Sequence, residues 1–245
     1  MTLVQTETAD RAVGRQALLW QLLAQALQSV TTAGATPTVL DCGGGSGTFA
    51  VPLASSGADV TVVDISADAL ATLMRRADEA RVASLVHPVQ GDVESLVESV
   101  GDGSFDLVLA HGILEEVDGI GAAFDAIART VRHGGLVSVL VSNPIATVLG
   151  RALAGDPAAA LAELRAIADE NVLGAEKVAE LCGAAGLVIE SRHGIGVFTE
   201  FVPGAAVDAP GARDVLERLE IEAAARFPFV DIASRIHVLA RRPAG

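Results

Sequence analysis

The feature that most limits the folds open to this chain is a regular alternation of short apolar segments with segments of helical spacing. The predicted strands lie at residues 39–40, 59–63, 85–89, 105–110 and 136–141, and helices are predicted between them at 48–56, 67–80 and 120–131. Such an alternation favours a parallel sheet with helices on both faces. The strands are almost continuously apolar, which is typical of strands buried on both sides. The sequence therefore predicts an α/β fold with a doubly wound sheet.

The segments outside this alternation are expected to complete a single domain. Residues 1–14 are polar and expected to be loose, and a helix is predicted at 15–30. After Pro144 the alternation stops, and two predicted helices at 145–154 and 157–168 are interpreted as a cap over the ligand-binding edge of the sheet. The later elements are predicted helices at 174–185 and 213–226, strands at 187–191 and 234–241, and an irregular loop at 202–211. We predict one domain at 1–245, made of an N-terminal helical segment (1–37), a core (38–143), the inserted cap (144–173) and a C-terminal part of the sheet (174–245).

The composition limits the classes of function. The net charge is −14, and no cluster of four or more basic residues marks a surface for nucleic acid. The two cysteines and five histidines show neither a disulfide framework nor metal-ligand spacing, so no metal is predicted. The first residues, MTLVQTETADR, lack the pattern of a signal peptide, and no apolar run approaches the ~20 residues of a membrane span. We expect a cytoplasmic protein with no membrane partner.

Four glycines in five positions follow the first predicted strand, in the run TVLDCGGGSGT at 38–48. Each glycine weakens regular structure by about 0.5–1 kcal/mol relative to alanine, so such a cluster indicates that a ligand approaches the backbone closely. In a doubly wound sheet this turn lies beside the topological switch point, and the following helix offers backbone N–H donors. Two ligand families use this arrangement: nicotinamide or flavin dinucleotides, and S-adenosylmethionine.

Thr48 and Asp41 help to choose between these ligands, and two further acids are candidate ligand contacts. The dinucleotide fingerprint needs a third glycine or alanine where this chain has Thr48. Asp41, two residues before the first glycine, suits a ligand that carries an ammonium and a sulfonium better than a pyrophosphate. Asp64 follows the second strand and can accept both hydroxyls of a ribose in either ligand class. Asp92 follows the third strand and is open to two interpretations, an acceptor for an adenine amino group or a helix N-cap.

The chain resembles the class I S-adenosylmethionine-dependent methyltransferases. The matching motifs are VLDCGGGSG, VTVVDIS, QGDV, FDLVLAHGILEEV and VRHGGLVSVLVSN, which span about 39–143. The resemblance implies a Rossmann-like, seven-stranded sheet whose last strand, SRIHVLAR, runs antiparallel. It also implies S-adenosyl-L-methionine as the cofactor and S-adenosylhomocysteine as the product.

The same resemblance implies a set of cofactor-binding residues, but it assigns no catalytic residue. It implies that the methionine part is lined by Asp41, Gly43, Gly44, Gly45 and Gly47, the ribose is held by Asp64 with Ile65, the adenine is bordered by Asp92 and Val93, and the sulfonium is faced by His111. Glu115 and Glu116, which follow His111 in the fourth motif, are interpreted as ordinary surface residues.

A narrower resemblance extends over nearly the whole chain. The segments RQALLWQLLAQAL, AHGILEEV, GIGVFTEF and SRIHVLARRP look like the bacterial tRNA 5-carboxymethoxyuridine methyltransferase family. That family methyl-esterifies a carboxylate on a wobble uridine of the tRNA anticodon, and the resemblance implies that Arg15 reaches the cofactor. Arg192, Arg226 and Arg235 are candidates to bind a substrate carboxylate.

Two other functions stay open. The cap sequence GRALAGDPAAALAELRAIADENV is alanine-rich with few positive charges, which favours a small molecule bearing a carboxylate as the methyl acceptor. A non-enzymatic interaction module that uses a retained cofactor fold is the third possibility. The sequence indicates neither the acceptor nor the oligomeric state.

Overall fold

The computed structural model describes residues 3–32, 34–167, 172–203, 206 and 209–245, with side chains described from residue 17 onward. Seven strands form one sheet in the order β3-β2-β1-β4-β5-β7-β6. They are β1 (Thr38–Cys42), β2 (Asp59–Asp64), β3 (Val86–Gln90), β4 (Phe105–His111), β5 (Val131–Ser142), β6 (Val188–Ile195) and β7 (Arg235–Arg241). The pairs β1–β2, β1–β4, β2–β3 and β4–β5 are parallel, and β7 runs antiparallel. The predicted α/β class and the implied strand arrangement are confirmed.

Helices flank the strands along the chain. They are α1 (Leu3–Val30), α2 (Ala50–Ser55), α3 (Ala67–Glu79), α4 (Leu96–Val100), α5 (Ile120–Thr130), α6 (Pro144–Leu153), α7 (Pro157–Ala166), α8 (Ala175–Ala184), α9 (Ala212–Ala223) and α10 (Phe229–Ile232). Among the described residues, no helix is long and apolar enough to cross a membrane.

The α1 helix and the β5 strand begin well before their predicted starts. The α1 helix begins at Leu3, so the expectation of a loose segment over 1–14 was wrong; this segment lacks an apolar stripe, but most of its residues are compatible with a helix. The strand β5 begins at Val131 and not at 136. Its pairing with β4 shifts register between Phe105 and Leu107, which pair with Val131 and Leu136. A bulge therefore carries the strand through residues 132–135, which separate the predicted helix from the predicted strand.

The central strands form the core that positions the ligand-binding edge. Val39 and Leu40 of β1 and Leu107, Val108 and Leu109 of β4 are completely buried. Parallel strands covered on both faces have no solvent side, which explains why their sequences are apolar at successive positions. Because β1, β2, β3 and β4 are parallel, their carboxyl ends lie at one edge of the sheet.

The described chain divides into two compact units. Unit 1 comprises Met1–Gln25, Val141–Lys177 and Ser191–Val238, and unit 2 comprises Ala26–Leu140, Val178–Glu190 and Leu239–Gly245. Unit 2 therefore contains the glycine-rich turn, and unit 1 contains the helices of the predicted cap. The assignment of residues 1–245 to a single domain, with its four parts, stays a prediction.

The first cap helix begins at a buried polar residue within unit 1. Asn143 is 3% exposed, and its Oδ1 accepts a hydrogen bond from the backbone N of Ile145 at 3.1 Å. Its Nδ2 donates to the backbone oxygens of Asp231 and Ala233, both at 2.8 Å. An N-cap followed by proline is a strong helix start, and here it also fixes α6 to the segment around α10. The α6 and α7 helices pack against each other.

Candidate functional site

The glycine loop, residues 43–47, connects β1 to α2. A Cβ on Gly43 would lie 2.8 Å from Ile113 Cδ1, and the backbone of Gly43 is left-handed with φ of +67°. A Cβ on Gly44 would lie 2.5 Å from Asp41 Oδ2 and 2.8 Å from Val62 Cγ1. Real Cβ atoms do not approach their neighbours this closely. The two glycines therefore allow the backbone to pack directly onto the groups around it.

The loop is held in place by side chains of β2 and α3. Asp64 Oδ2 accepts a hydrogen bond from the backbone N of Gly45 at 2.8 Å, and Oδ1 accepts from the backbone N of Ser66 at 2.8 Å. Arg76 Nη1 donates to the backbone oxygen of Ser46 at 2.8 Å. Hydrogen bonds to charged groups are stronger than neutral ones, so these contacts fix the loop before any ligand arrives.

Asp41 lies beneath the loop and differs from Asp64. It is 1% exposed, and its Oδ2 has no hydrogen-bond partner among the described residues. Burial, with a smaller contribution from the negative charge of Asp64, raises the pKa of Asp41 to about 7. Asp41 is thus a carboxyl group under Gly44 that is readily protonated near neutral pH.

A pocket of about 320 Å³ opens at the carboxyl ends of β1 and β2 in unit 2. It is lined by Cys42, Gly43, Val63, Asp64, Ile65, Gly91, Asp92, Val93, Glu94, Leu96, Ile113, Glu116, Val117 and Asp118. The lining includes five carboxylates and, among the described residues, no basic side chain. Its electrostatic field therefore favours a cationic ligand.

The structure brings together five of the predicted cofactor-binding residues. Gly43, Asp64, Ile65, Asp92 and Val93 all line this pocket. Ile65 is 71% exposed, so its side chain is accessible to a ligand in the pocket.

The surroundings of Asp92 are compatible with both of its interpretations, the helix N-cap and the ligand contact. Its Oδ1 accepts a hydrogen bond from the backbone N of Glu94 at 3.0 Å, so it caps the short 3₁₀-helix Val93–Ser95. It also lines the pocket, and a carboxylate has further acceptor positions beyond the one that the cap uses. Its predicted contact with adenine stays a prediction.

Four other predicted residues are not among the described lining residues of the pocket. Gly44, Gly45 and Gly47 belong to the loop but are not among the described lining residues. The side chain of Arg15 lies outside the described residues, so its predicted contact with the cofactor stays a prediction.

His111 ends β4 and is held on two sides. Its Nε2 lies 2.8 Å from the Oγ of Ser138, and its ring packs edge-to-face on Phe49 with centroids 4.7 Å apart. This ring is therefore fixed in orientation, while its predicted place beside the sulfonium stays a prediction. Ser138 and Phe49 were not singled out from the sequence, since only the fold brings β5 and the start of α2 to this strand end.

The pocket also includes residues that the sequence alone did not assign to it. Glu116 and Asp118 follow β4 and line the pocket, although Glu116 was interpreted as ordinary surface. The sequence signal that could have placed these two acids in the pocket is the position of the fourth motif at the end of a central strand. Within the described part of the chain, no group of three or more His, Cys, Asp or Glu side chains is arranged to hold a metal ion.

The arrangement fits a cationic nucleoside. The loop permits close approach to the backbone, the carboxylates of Asp64 and Asp92 offer hydrogen-bond acceptors, and the buried Asp41 lacks a partner on Oδ2. Buried polar atoms without a partner are rare in folded proteins and need an explanation. A ligand with a positive charge above the loop supplies one.

Two sequence comparisons give full-length and partial relatives. A family model described as a methyltransferase domain matches residues 40–139. The tRNA 5-carboxymethoxyuridine methyltransferase of Escherichia coli is 27% identical over 241 residues, which cover 94% of this chain and 88% of that protein. The ubiquinone biosynthesis O-methyltransferase of Sodalis glossinidius is 37% identical over 113 residues, which cover 45% of this chain and 44% of that protein.

A solved structure extends the likeness to the whole fold. The geranyl diphosphate C-methyltransferase of Streptomyces coelicolor, in complex with Mg²⁺, geranyl diphosphate and S-adenosyl-L-homocysteine, superposes with a TM-score of 0.61 and 18% identity. The match covers 93% of this chain and 80% of that chain. At this identity the likeness shows a common fold.

Proposed function

Because the chain is a class I S-adenosylmethionine-dependent methyltransferase, we propose that it methyl-esterifies the carboxylate of 5-carboxymethoxyuridine at the tRNA wobble position. The cofactor is S-adenosyl-L-methionine. The observation that carries the proposal for the acceptor is the extent of the similarity to the Escherichia coli enzyme. It covers 94% of this chain and therefore extends well beyond the region that the general methyltransferase model matches.

The cofactor is proposed to occupy the pocket of unit 2. Each oxygen of Asp64 accepts one backbone hydrogen bond and keeps a further acceptor position for a ribose hydroxyl. Asp92 and Val93 are proposed to border the adenine, and Gly43 and Gly44 to let the methionine part lie against the main chain.

The chemistry requires little proton transfer from the protein. When bound, the cofactor supplies a methyl group that its sulfonium makes reactive. The residues around the pocket orient the reactants and exclude water, which is where most of the rate enhancement of such a displacement arises. A carboxylate acceptor is already ionised at neutral pH because its pKa lies near 4, so no general base is needed.

Arg235 is the proposed ligand for the acceptor carboxylate among the three arginine candidates. Arg192 is bonded to Asp231 at 2.7 Å, and Arg226 lies 3.5 Å from Glu222. Arg235 is half-buried and forms no ion pair with the described residues. An arginine fork without a carboxylate partner is suited to bind one from a substrate.

A second candidate function is methyl transfer to a small molecule, and one observation favours it. Unit 1 contains a cavity of about 590 Å³ lined by Ala146, Thr147, Gly150, Leu153, Ala154, Gly196, Glu200, Phe201, Ile232 and Ser234. This lining is mostly apolar, and its described residues include one acid and no basic group. Such a cavity suits a compact apolar molecule better than a polyanion. The expected cytoplasmic location stays a prediction.

Mass spectrometry of wobble uridines distinguishes the two acceptors. Cells that lack the gene should lose the methyl ester of 5-carboxymethoxyuridine, and the purified protein should restore it on their tRNA. An unchanged methyl ester in these cells would rule out the tRNA proposal. Binding of tRNA should also weaken steeply with added salt, because phosphate contacts release counterions.

Calorimetry tests the cofactor site separately. Asp64→Ala should weaken cofactor binding by about 1–3 kcal/mol through lost hydrogen bonds to a charged acceptor. Asp125→Ala removes an exposed carboxylate of α5 and serves as the matched control for net charge. Equal affinities for the two variants would refute the role of Asp64.

A further inference from the structure

Asp41 combines burial with one carboxyl oxygen, Oδ2, that has no hydrogen-bond partner among the described residues. It is 1% exposed, and the described residues donate no hydrogen bond to its Oδ2. Burying an ionised carboxylate without a partner is so costly that such a group normally takes up a proton. The fold nevertheless places this acid directly under the loop against which the cofactor is proposed to bind.

Among the described residues, the groups beside Asp41 in the sheet offer no compensating positive charge. In the register of the sheet Asp41 lies beside Val62 of β2 and Leu109 of β4. Farther along these strands are Asp64, which adds a negative charge, and His111, whose Nε2 is bonded to Ser138 Oγ. The neighbouring Cys42 on β1 has a thiol pKa raised well above its ordinary value by burial and by Asp41, so it stays neutral.

The loop and helix above Asp41 do not neutralise it either. Gly44 has no side chain between its backbone and Asp41 Oδ2, since a Cβ there would lie only 2.5 Å from this oxygen. Of the two arginines of α3, Arg76 is bonded to the backbone oxygen of Ser46 and Arg75 to Glu79. A charge on the far side of Gly44 therefore acts on Asp41 with little intervening protein.

We infer that Asp41 is a proton-releasing counter-charge: it is protonated in the cofactor-free protein and loses its proton to solvent when the cationic cofactor binds against the glycine loop. This inference rests on the proposed cofactor site. No covalent bond to the ligand forms or breaks; the O–H bond of the carboxylic acid breaks, the proton passes to the buffer, and the carboxylate remains as the counter-charge of the bound cation.

The consequence is a defined proton count. Because the pKa of Asp41 in the free protein is about 7, full ionisation on binding should release about 0.9 proton at pH 6, about 0.5 at pH 7 and below about 0.1 at pH 8.5. The apparent affinity should accordingly weaken towards tenfold per pH unit below pH 7 and become independent of this group at higher pH.

Isothermal titration calorimetry of the full chain with S-adenosyl-L-methionine measures this count directly. At each pH the binding enthalpy is measured in phosphate and in imidazole buffer, whose ionisation enthalpies differ, and the slope gives the protons released. The amino group of the cofactor has a pKa near 8 as an α-amine, so it takes up few protons below pH 7. For wild type, the number of protons released on binding should decline from pH 6 to pH 8.5.

Two variants locate the source of the proton. Asp41→Asn should abolish the release at pH 6 while still binding the cofactor more weakly, whereas Asp125→Asn should release as many protons as wild type. Subtracting the two variants removes any uptake by the cofactor itself. If wild type binds without proton release at pH 6, the inference is wrong while the cofactor site stands. If wild type does not bind the cofactor at all, the proposed cofactor site fails as well.

Discussion

Two buried carboxylates, one in each unit, differ in the hydrogen bonds that they accept. Glu220 of α9 is 2% exposed, and its Oε2 accepts a hydrogen bond from the backbone N of Val197 at 2.7 Å. Its Oε1 accepts from the backbone N of Phe198 at 2.8 Å, from the backbone N of Thr199 at 2.7 Å, and from the hydroxyl of Thr199. Asp41 is equally buried, yet its Oδ2 has no donor among the described residues.

The difference separates a structural role from a binding role. Glu220 closes a segment of three residues whose backbone donors would otherwise be buried and unpaired, so its charge is compensated within the folded protein. Asp41 is compensated by nothing in the described fold, and its negative charge is useful only when a positive charge arrives. Equal burial therefore says little about a carboxylate until its donors are counted.

The strongest test of this contrast is Glu220→Ala. The change leaves four donors without this acceptor, three of them buried, and breaking such a network should lower the free energy of unfolding by about 3–5 kcal/mol. Urea or guanidinium titration measures the loss. Glu222→Ala, which removes an exposed carboxylate of the same helix paired with Arg226, should change stability by less than about 0.5 kcal/mol. Similar losses in both variants would remove the distinction.

Asp41→Asn should raise the free energy of unfolding, whereas Glu220→Ala should lower it. Because the pKa of Asp41 in the folded protein is about 7 and that of an unfolded aspartate is about 4, the folded protein retains a proton between these values and the unfolded chain does not. Stability therefore falls as pH rises from about 4 to 7, and the loss remains above pH 7. The variant should be more stable than wild type by about 2–3 kcal/mol at pH 8, since the buried amide keeps part of the desolvation cost, and should show no such gain near pH 4. Thermal unfolding at both pH values checks this.

Much of the site in unit 2 was predictable because it depends on strand order. Once β1, β2 and β3 are recognised as parallel, the acids that follow them must meet at one edge, and the structure places Asp64 and Asp92 in one pocket. The glycine loop was equally predictable, because four glycines in five positions weaken regular structure.

The bonding state of the buried acids was not predictable. In the run RLEIEAA the acids Glu220 and Glu222 look alike, and only the fold brings the backbone donors of Val197 to one of them. The bulge in β5 is another tertiary effect, because Gly135 lies against β4 where a Cβ would be 2.8 Å from the backbone oxygen of Asp106. Local sequence indicates where an acid or a glycine lies, but not what surrounds it.

A third buried titratable group, His237, stays neutral and so differs from both carboxylates. Burial, with a smaller effect of His193, lowers the pKa of His237 to about 3. The two rings lie 6.0 Å apart. Above pH 6.5 the group is neutral in both states, but as pH falls from 6.5 towards 3 only the unfolded chain binds the proton, so stability is lost. Wild type should lose about 2 kcal/mol from this group between pH 6.5 and pH 5.

The variant His237→Gln isolates this contribution. It should remove the loss that His237 causes, so that the stability of the variant relative to wild type increases as pH falls from 7 to 5 in denaturant titrations. The stability of Asp41→Asn relative to wild type should decrease over the same range, because this variant removes a group whose effect has the opposite sign. If the relative stabilities of the two variants changed in the same direction, one of these groups would not be buried as described.

The smallest expected effect comes from Gly44, the glycine that packs against Asp41. Gly44→Ala places a Cβ 2.5 Å from Asp41 Oδ2 and 2.8 Å from Val62, so the buried carboxyl group or the loop must move. Overpacking of this kind should lower the free energy of unfolding by about 1–2 kcal/mol. Gly121→Ala is the matched control, because this glycine of α5 has nothing within 4 Å of a new Cβ and an ordinary helical φ, and alanine there should add up to about 1 kcal/mol.

In the background of Asp41→Asn, Gly44→Ala should still clash, since the amide has the same size as the carboxyl group. The cost of the glycine substitution is therefore steric, whereas the proton release of Asp41 is electrostatic, and combining the two variants in unfolding and calorimetric measurements separates the shape of the loop from its charge.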